Sequence, residues 1–354
     1  MTTAGGTAVV LCATRDERAG ATSVVAGLTV LTRALKQLAQ AAGTRVVLAS
    51  DGSLPAPAPL PPNVELRAVA DRAEAEAVGR SMGAPVIGAD VVRLDRSRWD
   101  GLRVVDEPSR RAAEDAVFAA LYRADLGFVA RRFNKPLSIW FTRHVLVRTP
   151  ITPNQITLFA AAVGLLGCAL IATGAYGWAL LGLACEHLQS VLDGCDGELA
   201  RVRFQQSKMG AWLDTFVDDV LNVVITVAAG TGVWRATGSR LALACGLAGG
   251  AMLVLSNLII MRDMRRQKAS GDLMDMVWWF SGGQKLGAST ATQGKPGLGT
   301  FLFQLGRRDA AIFLWLLFGV CHQLVLVLVM ADVIALSWFV ASLVQLVVRP
   351  APAA

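Results

Sequence analysis

Charge is scarce in this chain. Only 17% of its 354 residues are charged against 54% hydrophobic, and the scarcity is uneven. The first part is polar and mixed, and the later part comes in long apolar blocks, a pattern expected of a soluble domain followed by a membrane domain. The six cysteines (Cys12, Cys168, Cys185, Cys195, Cys245, Cys321) show neither ligand spacing nor a paired framework. That excludes a disulfide scaffold and a cysteine metal site, and leaves small core residues. His144 and His322 do not stand at metal-ligand spacing, and His187 reads as a hydrogen-bonded helix residue. The formal charge is +7, but no basic stretch is interleaved with aromatics, so nucleic acid is not an expected partner. Residues 1–6 lack the basic and apolar regions of a signal peptide, which predicts a cytoplasmic first domain.

What is present is a set of four acids inside apolar sequence. They stand in Asp193-Gly194-Cys195-Asp196-Gly197-Glu198-Leu199-Ala200-Arg201, followed by Gly210, Asp214 and Asp218. Acids in such surroundings are costly and point to function. Asp193 and Asp196 are three apart and share a helix face, and Asp214 and Asp218, four apart, share a face of the next helix. Two antiparallel helices let the pairs face each other. Four carboxylates in one pocket repel unless cations sit among them, and all-oxygen ligands suit Mg²⁺ or Mn²⁺. Two such ions serve in-line phosphoryl displacement.

The pattern D-x2-D-G-x2-A-R-x8-G-x3-D-x3-D, filled by Asp193, Asp196, Gly197, Ala200, Arg201, Gly210, Asp214 and Asp218, resembles the signature of the CDP-alcohol phosphotransferase family. The resemblance implies Mg²⁺-dependent transfer of a phospho-alcohol group from a CDP-alcohol to an acceptor hydroxyl, with release of CMP. It implies two divalent ions on Asp193, Asp196, Asp214 and Asp218, with Asp218 also acting as general base. It implies that Gly197, Arg201 and Ser207 bind the CDP part. Gly197 and Gly210 fit a need for close backbone approach. A Pro153-Asn154-x-x-Thr157 element also resembles the family's first membrane helix, placing Asn154 and Thr157 near the cytidine, although Thr152-Pro153 equally reads as an N-cap with proline at N1.

Along residues 1–115, apolar runs at 8–13, 45–49, 64–69 and 85–92 alternate with helical periodicity at 24–42 and 72–82. That predicts an α/β domain with a mostly parallel sheet. Residues 14–20 read as a polar loop and 55–62 as a proline-rich one. The region resembles the nucleotidyltransferase-like domain that some family members carry. The loop after the first strand has two acids and one glycine where active members have a Gly-rich basic loop, so the module is expected to be degenerate, with Asp90 a relic ligand or simply a strand end. Residues 108–131 read as one helix. Residues 116–150 form the linker and an interfacial helix, with Arg131, Arg132, Lys135, Arg143 and Arg148 set among Leu137, Trp140 and Phe141.

Residues 151–350 are expected to form a six-helix membrane domain, spanning at 153–174, 178–201, 209–234, 240–262, 309–330 and 332–348. Basic residues concentrate at the ends shared with the N-terminal domain, which puts that domain and the acids on the cytoplasmic side of the inner membrane; Arg235 and Arg240 are exceptions. Glu186 and Gln189 share the face of Asp193 and extend the polar cavity. The glycine-rich stretch 267–306 reads as a long loop, either a lid or a disordered connector. Arg262, Arg265, Arg307 and Arg308 cluster near the acids' side, where family members that use inositol phosphate hold the acceptor's phosphate. The donor reads as CDP-diacylglycerol or CDP-inositol, the acceptor as a small polar or phosphorylated alcohol, and the branch resembled is the bifunctional inositol-phosphate cytidylyltransferase/di-inositol-phosphate-phosphate synthase one. A homodimer is implied by resemblance alone. The alternatives are a transporter, which predicts acids spread over several spans and repeats, or a non-catalytic membrane protein, which needs no such acid set.

Overall fold

The computed structural model describes residues 7–12, 15–39, 45–50, 64–69, 71–82, 84, 86–89, 91–92, 101–122, 127–267, 276–279 and 308–348. The chain divides into two compact units. One is residues 1–122 with 143–150 and 200–205, and the other is residues 123–142, 151–199 and 206–354.

The first unit is α/β. Strand β1 (Thr7–Cys12) leads into α1 (Arg15–Thr22), then a two-stranded ribbon, β2 (Val24–Val25) and β3 (Leu28–Thr29), and α2 (Val30–Ala39). Next come β4 (Arg45–Ser50), β5 (Val64–Ala68), α3 (Arg72–Ser81), β6 (Val86–Gly88), and a second ribbon, β7 (Val91–Val92) with β8 (Leu102–Arg103). Helix α4 (Glu107–Ala119) closes the set. The sheet order is β5-β4-β1-β6 with every pair parallel. Ala8, Val10, Val46 and Leu48 pack on Leu31, Leu35 and Leu38 of α2. Val9, Val47 and Ala49 face the other way, onto Ala75 and Val78 of α3. A sheet covered on both faces explains why its strands read as unbroken apolar runs.

Three local expectations for this unit change. The predicted helix over 24–42 starts only at Val30, because Ala26 (φ 48°) and Gly27 (φ 77°) turn the chain into the β2–β3 ribbon. Two successive positive φ values are what a two-residue hairpin turn needs. Most of the predicted loop 14–20 is helix α1, so little loop separates strand from helix. The predicted helix over 108–131 ends at Ala119. Asp106 caps its start in a capping box with Ser109. Asp90 and the proline-rich stretch lie outside the described residues.

In the second unit, the chain enters through a wide helical turn (Ala130–Asn134) and α5 (Lys135–His144). Among the described residues six helices follow: α6 (Pro153–Ile171), α7 (Tyr176–Arg203, whose last turn belongs to the first unit), α8 (Lys208–Thr237), α9 (Arg240–Gln267), α10 (Arg308–Val320) and α11 (Leu324–Val348). Four of them, α6, α8, α9 and α11, are long and apolar enough to cross a membrane by length and composition. Helix α7 has the length but carries the acids. Helix α10 has only 13 residues. Ile171, Leu183, Ile225, Ala229, Trp315 and Val327 build the shared core. Helices α8 and α9 touch at Gly230 and Gly246, where a Cβ on either would sit 2.8 Å from the other's Cα. Small residues permit such backbone contact between membrane helices.

The last break in the helical domain falls elsewhere than expected. The chain turns at residues 321–323, not 330–332. His322 takes φ 60° and stacks its ring on Tyr176 at 3.6 Å between centroids. Asp332, expected at the very start of the last span, lies inside α11. Its carboxylate fills the space beside Gly249, where an added Cβ would meet Oδ1 at 2.2 Å. Arg235, an exception to the charge rule, donates to the Ala172 carbonyl just past the end of α6 at 3.1 Å.

Candidate active site

The acids lie on α7 and α8, and the site is built from their side chains outward. Asp193 lies close enough to both Asp214 and Asp218 to interact electrostatically with them. The two helices thus bring three of the four acids together. Asp196 lies next to them, buried, and accepts a short hydrogen bond from Thr157 of α6 and one from its neighbour Gly197 N–H. Thr157 is therefore tied to Asp196 as well as to the Pro153 carbonyl of its own first turn.

Charge balance comes from α10. Arg308 Nη1 pairs with Asp218 Oδ1, and Nη2 donates to Gln189 Oε1 at 3.0 Å. Gln189 is fully buried, and Glu186, one turn further along α7, accepts from Cys168 Sγ at 3.1 Å. The polar stripe read from Glu186 and Gln189 is thus continuous with the acids through Arg308.

Three buried polar atoms in this group have no hydrogen-bond partner among the described residues: Asp214 Oδ1, Gln189 Nε2 and Arg308 Nε. Buried polar atoms are rarely left so. Among the described residues no group of three His, Cys, Asp or Glu side chains encloses an ion as they lie. Asp218 is engaged by Arg308 and Asp196 by Thr157. The donors still fit a hard divalent cation: they are oxygens only, and one carboxylate oxygen is buried with no hydrogen-bond partner among the described residues. Cys195 is no competitor, because its Sγ is directed at the Ser138 and Val191 carbonyls.

A second group gathers at the start of α8. Ser207 caps the helix and accepts from Gly210 N–H at 3.0 Å. A Cβ on Gly210 would lie 3.1 Å from both Asn154 Oδ1 and Ser207 Oγ. Asn154, Ser207 and Gly210 are therefore neighbours. Arg201 lies in the last turn of α7. Of the four arginines expected to bind acceptor, only Arg308 reaches the acids among the described residues. Arg262 and Arg265 are exposed near the end of α9, and Arg307 lies outside the described residues.

One element was not foreseen as part of this region. Glu198, inside the motif, is fully buried and takes three hydrogen bonds from α5: Lys135 Nζ at 2.6 Å, Ser138 Oγ at 2.5 Å and Thr142 Oγ1 at 2.7 Å. A signal for it existed. Lys135, Ser138 and Thr142 lie on one helical face, opposite Leu137 and Trp140.

Residues 150–292 match the family model described as CDP-alcohol phosphatidyltransferase. The match covers well under half of the chain, and over that stretch the chain is similar to the family. Among curated proteins, the chain is 35% identical over 169 residues to the "Bifunctional IPC transferase and DIPP synthase" of Rubrobacter xylanophilus, covering 47% of this chain and 37% of that relative. Proteins of the same name from Archaeoglobus fulgidus (33% over 112 residues, 32% of this chain and 22% of the relative) and Aquifex aeolicus (34% over 116 residues, 32% and 26%) are also similar. The chain thus spans well under half the length of the curated relatives it matches. The matched CDP-alcohol phosphatidyltransferase segment contains every acid of the cluster.

Proposed function

We propose that this chain is a membrane-embedded CDP-alcohol phosphotransferase that passes a phospho-alcohol group to an acceptor hydroxyl and releases CMP. The observation that carries the reading is the convergence of Asp193, Asp214 and Asp218 on one another and on Arg308. The relatives' names favour CDP-inositol as donor and inositol phosphate as acceptor. CDP-diacylglycerol, which would yield a phospholipid, is the other donor to test.

Asp193, Asp196, Asp214 and Asp218 would hold two Mg²⁺ ions. When bound, these supply positive charge against the pyrophosphate and the leaving phosphate. Asn154, Ser207, Gly210 and Gly197 hold the cytidine end, with Arg201 on a phosphate. Asp218 accepts a hydrogen bond from the acceptor hydroxyl, orients it, and takes its proton as the oxygen attacks the β-phosphorus. The bond from that phosphorus to the oxygen of CMP breaks, and CMP leaves. Arg308, which pairs with Asp218, binds the acceptor's phosphate. Six helices from 151 to 350 form the catalytic domain, and the acids face the cytoplasm. The α/β domain, residues 1–115, turns over no nucleotide of its own, for lack of a glycine-rich loop after β1. Two copies of the chain form the working unit.

The test is CMP release by purified full chain in detergent with Mg²⁺. CDP-inositol and CDP-diacylglycerol are each offered with and without inositol phosphate, beside Asp218→Asn. Release with one donor, lost in the variant, is the expected result. No release from any pair by folded protein would overturn the reading.

A further inference from the structure

The contact between α5 and α7 has features that a membrane anchor does not need. Glu198 is fully buried, and both its carboxylate oxygens are occupied: Oε1 by Lys135 and Ser138, Oε2 by Thr142. Its donors are buried too, Ser138 and Thr142 almost wholly. The helices run close at Gly194: a Cβ there would lie 3.4 Å from Ser138 Oγ, in ordinary van der Waals contact. Nearby, Asn134 Nδ2 donates to Ser190 Oγ of α7 at 3.0 Å. The opposite face of α5 presents Leu137 and Trp140, each more than half exposed. A helix held only by its apolar face would not need a buried lysine against a buried glutamate, since such a pair loses hydration on both sides.

The place of Glu198 on α7 gives the clamp a consequence. At 3.6 residues per turn, Glu198 stands about 160° round the helix from Asp196 and about 140° from Asp193. A hold on Glu198 therefore fixes the rotation of α7 about its own axis. Rotation is the degree of freedom that decides whether Asp193 faces Asp214 and Asp218, and whether Asp196 meets Thr157. Three hydrogen bonds spread over about two turns of α5 resist both rotation and sliding.

We propose that Glu198, with Lys135, Ser138 and Thr142, is a positioning site that sets the metal-binding carboxylates of α7. On this view α5 is part of the catalytic apparatus and not only a membrane contact. The inference rests on the function proposed above, because it needs the carboxylates to hold cations.

The experiment reads cation binding apart from turnover. Free Mn²⁺ is followed by electron paramagnetic resonance as it is titrated into purified full chain, and CMP release is measured against Mg²⁺ concentration on the same samples. The variants are Glu198→Gln, Lys135→Met, Thr142→Val and Lys135→Arg. Glu198→Gln and Lys135→Met are expected to weaken Mn²⁺ binding about tenfold and to raise the Mg²⁺ needed for half-maximal rate equally. Thr142→Val, which removes one hydrogen bond and no charge, is expected to fold normally and shift both about threefold. Lys135→Arg is expected to restore most of what Lys135→Met loses. Wild-type Mn²⁺ binding and Mg²⁺ dependence in Thr142→Val, and in whichever charge variant folds, would overturn the clamp and leave the enzyme reading intact. Wild-type protein that neither binds Mn²⁺ nor releases CMP would overturn both.

Discussion

Helix α7 carries two polar faces that differ in one respect. On the α5 side, Glu198 has every oxygen satisfied by a donor from the protein. On the other side, Asp193, Gln189, Asp214, Asp218 and Arg308 are crowded together, with Asp214 Oδ1, Gln189 Nε2 and Arg308 Nε left without partners among the described residues. Both faces lie in surroundings of low polarity, where an unmet polar group is expensive. A fully met network needs nothing further and acts as structure. A half-met one is completed by something that binds. The two faces are thus the fixed and the working sides of one helix, and each prediction below alters one side to see whether the other responds.

The largest effect is expected on the working side. Asp218→Asn keeps the shape and the Arg308 hydrogen bond but removes a negative charge and a proton acceptor. CMP release should fall by about 10²–10⁴-fold, the range for loss of a general base. The melting temperature measured in chelator should not fall, because repulsion with Asp193 is relieved. Loss of activity by unfolding alone would contradict this.

Next in size is the charge balance itself. Arg308 is the cation paired with Asp218 in this structure. Arg308→Gln leaves the acids uncompensated, so the protein in chelator should melt several degrees lower than wild type. Mg²⁺ should then raise its melting temperature by more than it raises that of the wild type. Equal stabilisation of both would mean that Arg308 does not share the cation's place. The Glu198 clamp comes third, with its tenfold shift. Fourth is Gly210→Ala. Its new Cβ would press on Asn154 Oδ1 and Ser207 Oγ at 3.1 Å, both side-chain ends that yield by a few tenths of an ångström. The KM for the CDP donor should rise a few-fold with kcat nearly unchanged, a split that initial-rate kinetics resolves.

Much of the working side was legible in the sequence, because three- and four-residue spacings translate directly into helix faces. Asp193, Asp196, Asp214 and Asp218 needed no tertiary information beyond two antiparallel helices. The fixed side was not legible in the same way. Glu198 read as one more motif letter, and its partner Lys135, 63 residues upstream, read as an interfacial base. Arg308 read as an acceptor or topology residue, and its pairing with Asp218 spans 90 residues. Contacts of that separation leave no local periodicity. In the α/β unit the parallel sheet was legible from its apolar runs, while the Ala26-Gly27 turn was hidden, because alanine seldom marks a positive φ. The turn at His322 was hidden because no glycine or proline punctuates it, and the expected break fell nine residues too late.

The smallest effect belongs to the α/β unit, on its surface, and serves as the control for the comparison. Glu107, in the first turn of α4, is exposed, and hydrogen bonds from Arg110 and then Arg111 push its carboxyl down to about 2. Asp106 beside it is held below the usual carboxylate range by the Ser109 hydroxyl and amide. A folded-state value below the unfolded one means that the contribution is present above the ordinary carboxylate range and fades as pH falls from there toward about 2. Glu107→Gln should remove a small part of the acid sensitivity of the full chain in that window, and nothing at neutral pH beyond a shift near the limit of detection, since exposed ion pairs are screened by water and salt. CMP release should not change. If this exposed pair mattered as much as Lys135 with Glu198, burial would not be what separates a charge that organises the protein from one that merely decorates it.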